Sequence, residues 1–109
     1  MKKLALLNTS IITVEGTYSL KTITLDEAKA LIQENKDNLD SAVGHKSTAE
    51  IMTTLLETEI PMNRQLFEQQ VGQKALVFKL NGRHEEGIIP SVEEIEKIGY
   101  KFQLLERLA

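Results

Sequence analysis

Three short runs in this sequence bring together side chains that bind phosphate and move protons. The first is Ser41-Ala42-Val43-Gly44-His45-Lys46-Ser47-Thr48, which leads into a segment with helical periodicity whose expected N-cap is Ser47. A helix start leaves several amides unpaired and carries partial positive charge, so a phosphate or carboxylate can dock there. Gly44 lets the oxygens approach the backbone, and Lys46 adds a full charge. The same run also fits a plain strand-to-helix turn with an exposed histidine. The second run, Asn81-Gly82-Arg83-His84-Glu85-Glu86-Gly87, could hold phosphate and transfer protons, and it equally fits a solvated hairpin. The third, Pro61-Met62-Asn63-Arg64, offers the planar guanidinium fork of Arg64, or an ordinary surface arginine.

Other chemistries find less support. His45, His84, Glu85 and Glu86 lack a His-x-x-x-His pair or three ligands at metal-site spacing, so no metal and no cofactor is expected. Cysteine is absent, which removes disulfides, thiol nucleophiles and Cys-containing metal sites, and fits a cytoplasmic location. Ser47 precedes Glu50 by three residues, the capping-box spacing, and no Gly-x-Ser-x-Gly elbow presents it as a nucleophile.

The elements that position these runs follow from periodicity. The chain has 109 residues, enough for one domain with a two-layer core and no staple. Lys3 to Leu7, Tyr18 to Ile23, Lys74 to Leu80 and Tyr100 to Leu105 read as strands, with a shorter one over Leu39 to Val43. Lys74 to Leu80 is apolar enough to lie inside a sheet. Helices are expected after Thr24 and Ser47, the second closed by Pro61, and over Val92 to Ile98 before Gly99. Thr24…Glu27, Ser47…Glu50 and Ser91…Glu94 share the capping-box spacing. Asn63 to Val71 fits helix and strand equally. Intermixed strands and helices predict an α/β or α+β domain, a small mixed β-sheet with packed helices.

Thirteen Lys and Arg against sixteen Asp and Glu give a net charge of −3, which disfavours long nucleic acid as a partner. The apolar run after Lys3 ends within four residues at Asn8, so neither a secretory leader nor a membrane partner is expected.

Taken together, Asn8 after the first strand, Gly44-His45-Lys46-Ser47-Thr48, Asn63-Arg64 and Arg83-His84-Glu85-Glu86-Gly87 resemble the small viral ring nuclease family, known from archaeal viruses as an anti-CRISPR protein and also found in phages and mobile elements. The resemblance runs through almost the whole chain in the same order. It implies a homodimer that binds cyclic tetra-adenylate, the messenger of type III CRISPR systems. It further implies metal-independent cleavage of the ring to linear di-adenylate with a cyclic phosphate end. Its catalytic histidine falls on His45, its functional arginine and glutamate on Arg83 and Glu86, and its ligand-binding arginine on Arg64. Asn8 and Ser10 lie near the ligand in that scheme, while His84 occupies a position that is apolar in the viral motif.

The chemistry is self-consistent. When a 2′-hydroxyl attacks its own adjacent phosphorus, the protein need supply neither nucleophile nor metal, only geometry and a proton for the leaving oxygen. Histidine is suited to that donation, and a glutamate close to it would favour the protonated imidazole. The alternative is a binding module that holds a cyclic oligonucleotide without cutting it, or a dimeric interaction protein of a phage or mobile element.

Overall fold

The computed structural model describes residues 3–9, 12–81 and 91–109. In chain order the elements are β1 (Leu4–Leu7), β2 (Tyr18–Ile23), α1 (Leu25–Glu34), β3 (Leu39–Ser41), α2 (Lys46–Leu56), β4 (Lys74–Leu80), α3 (Val92–Ile98) and β5 (Tyr100–Arg107). The strands form one mixed sheet in the order β2-β5-β4-β1-β3. β1 runs parallel to both β3 and β4, pairing Leu6 with Ser41 and Leu7 with Val77. β5 runs antiparallel to β4 and β2. The result is an α+β fold with a five-stranded sheet and three helices among the described residues.

Interior strands must be apolar on both faces, which explains the unbroken runs Leu4 to Leu7 and Ala75 to Phe78. On one face Leu4, Leu6, Leu76, Phe78 and Phe102 meet Ala28 and Ile32 of α1, Met52 and Leu55 of α2, and Ile95 of α3. Phe78 and Phe102 lie 5.3 Å apart between ring centroids. On the other face the smaller Ala5, Leu7, Ala75 and Val77 pack with Phe67, which comes from irregular chain rather than from a helix.

That irregular chain settles the ambiguity over Asn63 to Val71, which contains neither helix nor strand. Side-chain amides replace the missing ladder. Gln69 Nε2 donates to the carbonyls of Gln73 and Leu105, at 2.7 and 2.9 Å. Gln73 Nε2 donates to Lys3 O, and its Oε1 accepts from the Gln70 amide, both at 2.9 Å. Buried backbone groups need partners from some source, and here glutamines supply them.

The helix starts at Thr24 and Ser91 are the expected capping boxes, closed in both directions with Glu27 and Glu94. The bond from the Thr24 amide holds the exposed Glu27 carboxyl below the usual carboxylate range. At Gly99 the backbone takes φ 89° and a Cβ would stand 2.8 Å from Asn81 Nδ2, so glycine is required at this helix end.

The expected cap at Ser47 is not formed. α2 begins two residues earlier, with His45 as N-cap, no side-chain cap, and Ser47 inside the first turn. The Val43 carbonyl accepts from the Asn63 amide at 2.9 Å and the Gly44 carbonyl accepts from Arg64 Nη2 at 3.2 Å. His45 O is the next carbonyl along, and it takes the helical bond from Ala49 N–H at 3.0 Å. β3 also stops at Ser41, short of Val43, and α2 ends at Leu56 with Glu57 left-handed, before Pro61. Thr24→Ala is therefore expected to cost ~1 kcal/mol in urea denaturation, while Ser47→Ala stays within ~0.5 kcal/mol. Equal losses would contradict this placement of the helix start. Among the described residues, no helix is long and apolar enough to cross a membrane.

Candidate functional site

The parallel strands β3, β1 and β4 end on the same edge of the sheet. Ligands of such sheets bind outside the carboxyl ends of the strands, where the loops gather. Asn8, half-buried, follows β1 there. Beyond β3 the chain runs through Ala42, Val43, Gly44 and His45 into α2. Beyond β4 comes Asn81, whose amide donates to Gly99 O at 2.8 Å. Arg83 and Glu86, expected as catalytic residues, lie outside the described residues, as do His84, Glu85 and Ser10.

The sequence positions Gly44, His45, Lys46, Ser47 and Arg64 are brought together. Arg64 is held over Gly44 by its flanking residues. Asn63 donates through its backbone amide to Val43 O and through Nδ2 to Ser41 O, both at 2.9 Å. Gln65 Nε2 donates to Ser41 O at 2.6 Å and to Asp40 Oδ1 at 3.1 Å. Ser41 Oγ in turn donates to Pro61 O at 2.6 Å. These bonds lash residues 61–65 along the β3-to-α2 connection. Arg64 itself remains exposed, its guanidinium resting on the Gly44 carbonyl. A Cβ on Gly44 would meet the Arg64 side chain at 3.6 Å, an ordinary contact, so neither space nor a left-handed backbone demands glycine here.

His45 is exposed and its imidazole has no hydrogen-bond partner among the described residues. Behind it, the amides of Lys46, Ser47 and Thr48 are the first three of α2 and have no acceptor among the described residues. An exposed imidazole, three amides without an acceptor among the described residues, a lysine and a guanidinium thus lie around the start of α2. Such a set can bind an anion and donate a proton to it. Among the described residues, no three His, Cys, Asp or Glu come together as metal ligands.

Sequence reasoning missed Asn63 and Gln65 as the residues that position Arg64. The one signal was that both flank an arginine of interest. Glu50, expected in a box with Ser47, makes no cap bond, and its Oε2 is shielded from solvent without a hydrogen-bond partner.

A family model described as STIV B116-like matches residues 4–102. A Bacillus subtilis (strain 168) protein named Uncharacterized protein YddF is 38% identical over 106 residues, covering 97% of this chain and 98% of that protein. Uncharacterized protein 26 of Sulfolobus islandicus filamentous virus is 42% identical over 93 residues, covering 84% of this chain and 77% of its own. Among solved structures, B116 of Sulfolobus turreted icosahedral virus superposes with a TM-score of 0.80 at 23% identity, covering 96% of this chain and 99% of that one. This last likeness is one of fold.

Proposed function

The chain belongs to the STIV B116-like family, and from that premise we propose that it is a metal-independent ring nuclease acting on cyclic tetra-adenylate. The observation that carries this reading is that an exposed His45 caps α2 beside open helix amides and an Arg64 seated on Gly44, where the chain leaves the carboxyl end of β3. A phosphate of the ring docks on the amides of Lys46, Ser47 and Thr48, where the helix dipole and the Arg64 fork favour it. The ribose 2′-hydroxyl attacks the adjacent phosphorus and releases its proton to solvent. As the bond from phosphorus to the 5′-oxygen breaks, the His45 imidazolium gives that oxygen a proton. Arg83 and Glu86 complete the scheme by the motif resemblance, Arg83 facing the phosphorane charge and Glu86 favouring the protonated histidine. Two such cuts release two linear di-adenylates with 2′,3′-cyclic phosphates.

A four-phosphate ring suits a two-fold homodimer, since each subunit then presents an identical half-site. Sedimentation at micromolar concentration should give a dimer. A monomer with and without the ring would sink the shared cleft.

The deciding experiment is incubation with labelled cyclic tetra-adenylate in EDTA. Cleavage supports the proposal. Binding without cleavage makes the protein a holder of the messenger, the absence of both leaves it an interaction protein, and either of these two results overturns the enzyme. Arg64→Ala should raise KM more than it lowers kcat, because Arg64 holds the ligand in ground state and transition state alike. Arg64→Lys should restore only part of the affinity, an ammonium lacking the two-pronged contact. A selective fall in kcat would move Arg64 into the chemical step.

A further inference from the structure

We propose that Lys79 and Lys101, side by side at the carboxyl end of β4, bind a second phosphate of the cyclic oligoadenylate whose first phosphate docks at the start of α2. This rests on the reading of the protein as one that binds such a ring, and it assigns two residues that neither the phosphate-docking surface nor the cleavage scheme includes. The site follows from the register of the sheet. β1 ends at Leu7, paired with Val77, and β3 ends at Ser41, paired with Leu6. On the far side of β5, β2 ends at Ile23, paired with Phe102. β4 and β5 run on past all three, through the pairs Lys79–Lys101 and Leu80–Tyr100. The two lysines therefore stand directly opposite each other on a two-stranded projection, with no strand beside it among the described residues.

Alternation along the strands puts both side chains on the face of the sheet that carries no helix. Ala75 and Val77 pack in that face's apolar cluster, and Lys79 is the next residue of β4 in the series. Leu105 packs there from β5, and Lys101 precedes it by four residues on the same face. Lys79 is exposed and Lys101 half-buried, so both are open to solvent. Neither ammonium has a hydrogen bond or ion pair among the described residues. At the other end of β4 the residue opposite Lys74 is Glu106, and the two form an ion pair at 3.8 Å. Like charges directly opposite in a sheet destabilise it, and a phosphate seated between them replaces repulsion with attraction. The order β4-β1-β3 sets the pair two strand spacings, ~10 Å, from the strand that leads to Gly44, His45 and α2. One phosphate cannot touch both places. A ring of several phosphates can, lying across the end of β1.

The test measures equilibrium binding of cyclic tetra-adenylate in the His45→Ala background, where the ring stays uncut, and thermal unfolding without ligand. Added to that background, Lys79→Met should weaken ring binding ~10-fold at low salt, the lower end of the range for a hydrogen bond to a charged group. Lys101→Glu should weaken it further, and in both variants the affinity should depend less on salt. Without ligand neither variant should melt below the parent, and Lys101→Glu, which sets an opposite charge across from Lys79, should melt above it. Loss of affinity with no loss of stability is a result that damaged structure does not produce. If either variant binds the ring as tightly as the parent, keeps its full salt dependence, or melts lower in step with its lost affinity, the lysine site is overturned while the ring-binding function stands. If the parent itself binds no ring, the function falls, and the site with it.

Discussion

His45→Ala is expected to lower the single-turnover cleavage rate by ~10²–10⁴-fold, the usual worth of a positioned general acid, while leaving affinity for cyclic tetra-adenylate almost unchanged. The separation follows from geometry. The imidazole stands exposed at the N-cap and makes no cap hydrogen bond, so its removal leaves the helix start, the three open amides and Arg64 in place. Under the proposed function those groups hold the phosphate, and a histidine side chain adds little to that hold compared with a guanidinium and a helix N-terminus. Cleavage would be followed with enzyme in excess, and affinity by equilibrium binding of the uncut ring. A variant that cuts at the native rate would show that another group protonates the leaving oxygen. A variant that loses binding in step with rate would make His45 a ligand contact.

Arg83→Ala should lower the saturated single-turnover rate by ~10²–10³-fold, the range for losing one donor aimed at developing charge, with a smaller loss of affinity. Arg83 stands three residues before Glu86 in a run that follows β4. The carboxyl edge from which β4 departs is the one that presents His45. An arginine facing the scissile phosphate interacts more strongly as charge accumulates on the phosphorane, so its contribution falls on kcat. Arg64, lashed over Gly44 beside the helix, should show the opposite balance. Arg83→Lys should restore the rate only in part, since an ammonium cannot make the planar double contact. Should Arg83→Ala lose affinity while its saturated rate stays native, Arg83 is a clamp on the ligand and the charge is stabilised elsewhere.

The division between what was legible in the sequence and what was not follows the range of the interactions. Tyr18 to Ile23, Lys74 to Leu80 and Val92 to Ile98 were readable to the residue, because alternation, apolar runs and Gly99 act within a few positions of one another. The boxes at Thr24 and Ser91 were readable for the same reason, each being closed by a side chain three residues away. Ser47 and Glu50 carry the identical spacing, and there it misled. The start of α2 follows the bonds that Asn63 and Arg64 make to the carbonyls of Val43 and Gly44, from about twenty residues downstream.

The candidate site divides in the same way. His45, Lys46 and Arg64 were identifiable as chemically able residues from their types and their neighbours. Their meeting depends on Asn63, Gln65 and Ser41, whose hydrogen bonds tie residues 61–65 to the β3-to-α2 connection. The glutamines that order residues 69–73 likewise bond to Lys3 and Leu105, far away in the chain. Such side-chain amides have no period and no fixed partner distance, so a sequence pattern cannot announce them. Hydrophobic periodicity and capping specified the elements. The placement of the α2 start, the seating of Arg64 over Gly44 and the release of Glu50 from capping were decided by long-range hydrogen bonds, whose partners become neighbours only once the sheet has formed.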